Sequence, residues 1–175
     1  MTSNILFTET QKFNQWWIKL ILLPINALFI FGCYQQIVLK QPFGDKPMSD
    51  VGIIIFTILV LLFTLLFLNL KLVTTIKING IDLQFYPFHL KAKHYNWTDI
   101  IQWEVRTYDA ISEFGGWGIR IGGFKKGMAY NVSGNKGLQL VLKTNKKLLI
   151  GTNKAEQLTE TLRHLAQLKL KEFNG

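Results

Sequence analysis

The eighteen residues from Val51 to Leu68 (VGIIIFTILVLLFTLLFL) carry no charge and only two hydroxyls, Thr57 and Thr64. At helical rise such a run covers most of a ~30 Å hydrocarbon layer, so it predicts a transmembrane helix. A second run from Trp16 to Val38 is long enough to span but is interrupted by Lys19, Pro24, Asn26, Gln35 and Gln36. A cleaved signal peptide is its rival, and Tyr34 to Lys40 offers no small-residue cleavage pattern. The run therefore reads as an uncleaved helix, bent at Pro24, with Trp16 and Trp17 at one interface and Lys19 snorkelling to the headgroups. Asn26, Gly32 and Cys33 have two readings, a face turned to the second helix or tolerated impurities. The link Leu39 to Asp50, with Pro42, Gly44 and Pro47, is a hairpin loop.

Lys12, Lys19, Lys71 and Lys77 lie on the terminal side of the two spans, against Lys40 and Lys46 on the loop side. The positive-inside rule then predicts a multi-pass protein of the inner (cytoplasmic) membrane with both termini cytoplasmic, Lys71 marking the interface. Under that orientation Asn96-Trp97-Thr98 and Asn131-Val132-Ser133 match the glycosylation pattern by coincidence. Residues 1–70 comprise a polar N-terminal tail and the two helices, about 16–38 and 51–70; residues 71–175 form one soluble domain.

That domain holds sixteen basic against eight acidic side chains and so carries most of the formal net charge of +9. Beside a bilayer, such charge is drawn to anionic headgroups. The lysines are scattered and accompany no nucleic-acid motif, so membrane rather than nucleic acid is the expected partner. Cys33 is the only cysteine, which excludes an intramolecular disulfide.

After Leu70 the apolar period changes to two. Residues 75–85 alternate on both sides of Asn79-Gly80, predicting a hairpin with a type I′ turn that pairs Ile78 with Ile81, Lys77 with Asp82 and Ile76 with Leu83. Further strands are expected at Lys91–Tyr95, Ile100–Tyr108, Trp117–Ile121, Met128–Val132, Leu138–Leu142 and Lys147–Ile150, a spacing that suggests a small sandwich or barrel. The period then becomes helical. Asn153 and Glu156 look like a capping box, and Leu158, Leu162 and Leu165 form the stripe that packs an amphipathic helix, about 154–173, onto the sheet.

The order of consecutive antiparallel strands ended by one helix, with Trp97-Thr98-Asp99-Ile100, Gly116-Trp117-Gly118-Ile119-Arg120, Gly137-Leu138-Gln139-Leu140 and Ile150-Gly151-Thr152, resembles a pleckstrin-homology domain. It is similar in particular to the bacterial PH-like domains that sit beside a pair of transmembrane helices. The resemblance implies a membrane-anchored α+β chain: a two-helix hairpin followed by a PH-like antiparallel β-barrel or sandwich capped by a C-terminal helix. It implies a fold rather than a chemistry. The phosphoinositide site of eukaryotic relatives is a basic cluster in the first hairpin loop, for which a two-residue turn leaves no room. Lys91, Lys93, Lys125 and Lys126 remain as a diffuse anionic-lipid surface.

For catalysis the sequence offers little. His89, His94 and His164 lack metal-ligand spacing, the Gly115–Gly123 region lacks a phosphate-loop context, and Ser112, Ser133, His94 and Asp99 form no nucleophile-elbow pattern. Glu104 and Asp109 fit ordinary solvated positions, and Trp97, Trp103 and Trp117 fit packing rather than a ligand cage. The expected function is therefore a non-enzymatic binding or scaffolding domain, without cofactor or metal, for protein partners or anionic lipids. The alternatives are a structural subunit assembled through the hairpin, with itself or another membrane protein, and a membrane enzyme with an unrecognised site.

Overall fold

The computed structural model describes residues 5–13, 15–122 and 126–173, with side chains to residue 168. It is an α+β chain with two apolar helices and two β-sheets, and it divides into two compact units, residues 13–69 and residues 1–12 with 70–175.

The helical unit contains α1 (Trp16–Cys33), which continues through a π-helical turn (Tyr34–Val38), and α2 (Asp50–Leu68). Both are long and apolar enough to cross a membrane, and their large apolar side chains point mostly outward. The facing sides carry the polar exceptions. Asn26 Nδ2 donates to Thr64 Oγ1 at 2.8 Å, Cys33 Sγ lies 3.0 Å from Thr57 Oγ1, and Gln36 Nε2 donates to Asp50 Oδ1 and to the Met48 carbonyl at 2.9 and 2.7 Å. A Cβ on Gly32 would come within 2.8 Å of the Phe43 ring, so glycine is what lets the loop fold back onto α1. Asn26 and Cys33 thus face the second helix whereas Gly32 faces the loop, and Ser49 caps α2 by accepting from the Gly52 N–H.

Among the described residues the second unit contains nine strands. Sheet A has the order β1 (Ile5–Lys12), β2 (Lys71–Lys77), β3 (Gly80–Tyr86), β4 (Lys93–Asn96). Sheet B has the order β5 (Ile100–Thr107), β8 (Lys136–Leu142), β9 (Lys147–Gly151), β7 (Met128–Asn131), β6 (Gly118–Ile121). Short helix α3 (Ala110–Phe114) follows β5, and α4 (Ala155–Phe173) ends the fold.

The polar tail is a strand. Residues 5–12 pair antiparallel with β2, Lys12 opposite Lys71, and turn Phe7, Glu9 and Gln11 inward. Only one of those three is apolar, so the strand leaves no hydrophobic alternation. The polar pair is bonded across the domain: Glu9 accepts from Thr152 Oγ1 at 2.6 Å and from the Asn153 N–H at 2.8 Å, and Gln11 Nε2 donates to the Gly151 carbonyl at 2.7 Å, while Gln11 Oε1 is buried without a partner. These bonds replace the expected capping box. The Asn153 amide bonds Ser133, and Thr152 Oγ1 accepts from the Lys154 N–H at the start of α4.

The first hairpin also differs from the expected register. Its turn residues are Ile78 and Asn79, with Lys77 opposite Gly80 and Ile76 opposite Ile81. Neither Asn79 nor Gly80 has positive φ, so the turn is not type I′. Gly80 instead admits β4, because a Cβ there would lie 2.4 Å from the Tyr95 carbonyl oxygen. The register buries Leu72, Ile76, Ile81, Leu83 and Phe85 on one face.

That face packs on sheet B through Phe85 against Tyr130, ring centroids 6.3 Å apart. Leu138, Leu140 and Ile150 are buried on sheet B, and Leu158, Leu162 and Leu165 of α4 are buried beside it. The sheets do not close into a barrel, nor is sheet B an all-antiparallel meander. β5 pairs with β8, skipping the α3–β6–β7 excursion, and β7 joins the free edge of β9 in parallel. Helix α3 packs on the opposite face of sheet B, where Tyr108, Ala110, Phe114, Ala129 and Leu149 form a second buried cluster.

Candidate functional site

Strand β5 is an edge of sheet B, and α4 runs beside it. Because Leu158, Leu162 and Leu165 are turned into the core, the helical period leaves Glu156, Thr159, Glu160, Arg163, His164 and Gln167 on another face. With Val105, Arg106 and Thr107 of β5 and with Lys136, that polar face lines an open groove of about 720 Å³. Past the end of β5 a second hollow of about 500 Å³ is walled by Thr107, Asp109, Ile111, Trp117 and Asn135.

The floor between these hollows is fixed by charge. Arg106 donates both guanidinium N–H groups to Glu113, at 2.8 and 3.1 Å, and also donates to Gln139 Oε1. The Arg106 hydrogen bond holds the Glu113 carboxyl below the ordinary glutamate range against the opposing effect of burial. Asp109 caps α3, accepting from the Ser112 and Ile111 N–H groups, which hold its carboxyl low as well. Arg106 joins β5 to α3 and thereby sets the wall of the groove.

The lysines expected to share a lipid surface are dispersed. Lys91 is exposed in the β3–β4 loop. Lys93 is on β4, where its ammonium donates to Tyr130 Oη at 3.3 Å and lies 5.8 Å from that ring's centroid. Lys126 donates to the Ser112 carbonyl at 3.3 Å, and Lys125 lies outside the described residues. Of the expected interface residues, Trp16 and Trp17 are exposed on α1 beside exposed Lys19, while the Lys71 ammonium lies 5.2 Å from the Tyr86 ring centroid.

The groups weighed for catalysis do not converge. His94 Nδ1 meets Asp82, which also pairs with Lys77, and its Nε2 faces Asn96. Burial alone would raise the Asp82 pKa, but hydrogen bonds from Lys77 and His94 bring it below the usual range. Ser133 bonds Asn153, Asp99 accepts from Asn96, and Glu104 is exposed on β5. No group of three His, Cys, Asp or Glu among the described residues is arranged to hold a metal ion. Trp97 donates its indole N–H to the Lys77 carbonyl at 2.9 Å, and Trp103 lines a shallow hollow together with Leu162 and Leu165. Asn131 is fully buried and accepts from the Gly118 N–H, so its glycosylation pattern is unusable in the fold.

The sequence reading missed Arg106, Glu113 and the polar face of α4 as parts of one groove. Their only signal was the exposed face of an amphipathic helix, which by itself reads as solvated surface. No protein-family model matches the chain, and no curated protein or solved structure matches it.

Proposed function

We propose that the chain is a two-span protein of the bacterial inner membrane that presents a PH-like binding module at the cytoplasmic surface, and that the module holds an extended protein segment rather than catalysing a reaction. The observation that carries this reading is the edge strand β5 bordering the groove beside α4. An edge strand offers backbone hydrogen bonds to an added strand, and the adjoining groove takes alternate side chains of the guest. Its lining of Arg106, Lys136, Arg163, Glu156 and Glu160 suits a segment of mixed charge.

The PH-like reading is supported by strand order. With residues 108–135 set aside, the remaining elements run β1-β2-β3-β4, then β5-β8-β9, then one helix, the consecutive order expected of such a domain. The membrane reading is supported by the outward apolar faces of α1 and α2. A lysine-built headgroup site is the second reading. It is weakened by the internal partners of Lys93 and Lys126.

The test is photo-crosslinking of the full chain in its native membrane, with the reactive side chain placed at Thr107, Glu160 or the distant turn residue Asn79. Adducts with one protein at Thr107 and Glu160, absent at Asn79, are expected. Adducts absent from both groove positions sink the peptide reading. Neutralising Lys91, Lys93, Lys125 and Lys126 is expected to leave the adducts in place.

A further inference from the structure

The β3–β4 loop leaves sheet A at a particular end. Lys12, Lys71 and Tyr86 lie side by side across β1, β2 and β3. The chain departs for α1 just after Lys12 and returns from α2 through only Asn69 and Leu70 before Lys71. The loop from Pro87 onward therefore emerges at the end of the sheet where both chain connections to the apolar hairpin are made.

The loop is pinned. The His89 N–H donates to the Phe85 carbonyl at 2.8 Å, the Phe85 N–H donates back to His89 Nδ1 at 3.2 Å, and Gln84 Nε2 donates to the carbonyls of His89 and Leu90. His89 is turned inward with its ring edge-on to Tyr130, centroids 5.3 Å apart. With His89 held there, its two neighbours face out: Phe88 is 60% and Leu90 83% exposed. The surroundings are aromatic and basic, with Tyr86 under the Lys71 ammonium and Lys12 and Lys91 exposed. Apolar tips ringed by tyrosine and lysine match the chemistry of a membrane interface, where rings sit at headgroup level and ammonium groups reach lipid phosphates.

We propose that Phe88 and Leu90 insert into the headgroup–acyl boundary of the bilayer crossed by α1 and α2, with Lys71 and Lys91 against lipid phosphates. This rests on the membrane reading above and is independent of the groove on β5.

The test uses the full chain in nanodiscs of phosphatidylethanolamine and phosphatidylglycerol. In a Cys33→Ser background, single cysteines at Phe88, Leu90, Asn79 or Ile58 carry an environment-sensitive fluorophore. Lipids with a nitroxide high on the acyl chain are expected to remove most of the signal at 88 and 90, while Asn79, at the opposite end of the β2–β3 hairpin, keeps its signal. Unquenched labels at 88 and 90 beside a label at 58 that lipid nitroxides do quench would overturn loop insertion and leave the membrane reading standing. An unquenched label at 58 would overturn both.

Discussion

Glu113 shows how one ion pair makes a groove wall depend on pH. Its carboxyl is held low by the Arg106 hydrogen bond, so its contribution to stability is complete above the ordinary glutamate value of 4.5 and is lost as pH falls through the lower folded-state value. Glu113→Gln is expected to cost about 1 kcal/mol at neutral pH, since the pair is partly solvated, and to flatten the acid limb of the melting curve. Equal slopes in variant and parent below pH 5 would contradict this. His89 works in the same direction by another cause. Burial first, and the Lys93 ammonium second, lower its pKa from 6.5. The neutral ring, which accepts from the Phe85 N–H, is thus favoured, and its contribution is full above 6.5 and declines as pH falls below that value. Amide exchange of Phe85 is expected to lose protection between neutral pH and pH 5, and His89→Leu should abolish that pH dependence.

At the scale of elements, period and turn chemistry carried most of the fold. Strands from Ile100 to Gly151 lie within a few residues of their expected places because short apolar runs are bounded by turn residues, even though β7, β8 and β9 are buried on successive residues and so do not alternate. What was not legible had a physical reason in each case. β1 turns two polar side chains inward, the Asn79-Gly80 signal was a packing requirement of β4, and the pairing of β5 with β8 is a choice among partners that local sequence does not encode. The groove was illegible for a related reason, since it is built from a helix face and a strand far apart in the chain. In the helical hairpin the polar contacts recur along both helices, from Asn26–Thr64 through Cys33–Thr57 to Gln36–Asp50. In lipid, such interhelical bonds contribute about 0.6 to 1.7 kcal/mol each. Asn26→Leu is expected to weaken the hairpin by that order, read as faster unfolding in mixed micelles, whereas Ile25→Leu on the exposed side should change nothing.

Across the whole molecule, the hairpin of residues 13–69 is inserted between two strands that are neighbours in one sheet. A fragment of residues 71–175 alone lacks Glu9, so the Thr152 hydroxyl and the Asn153 N–H lose that acceptor, at a cost of about 1 kcal/mol per hydrogen bond lost. We expect that fragment to melt well below a chain in which Lys12 is joined to Lys71 through a two-residue Asn-Gly turn, as scanning calorimetry of the two would show. Equal melting temperatures would mean that β1 adds nothing. The same insertion sets an order of events during synthesis. The first strand leaves the ribosome with no partner and must wait until residues 71–77 have been made. On the two-span reading proposed above, it can zip onto them only once the intervening segment has crossed the bilayer twice, so pairing of β1 with β2 would act as a parity check on the two crossings.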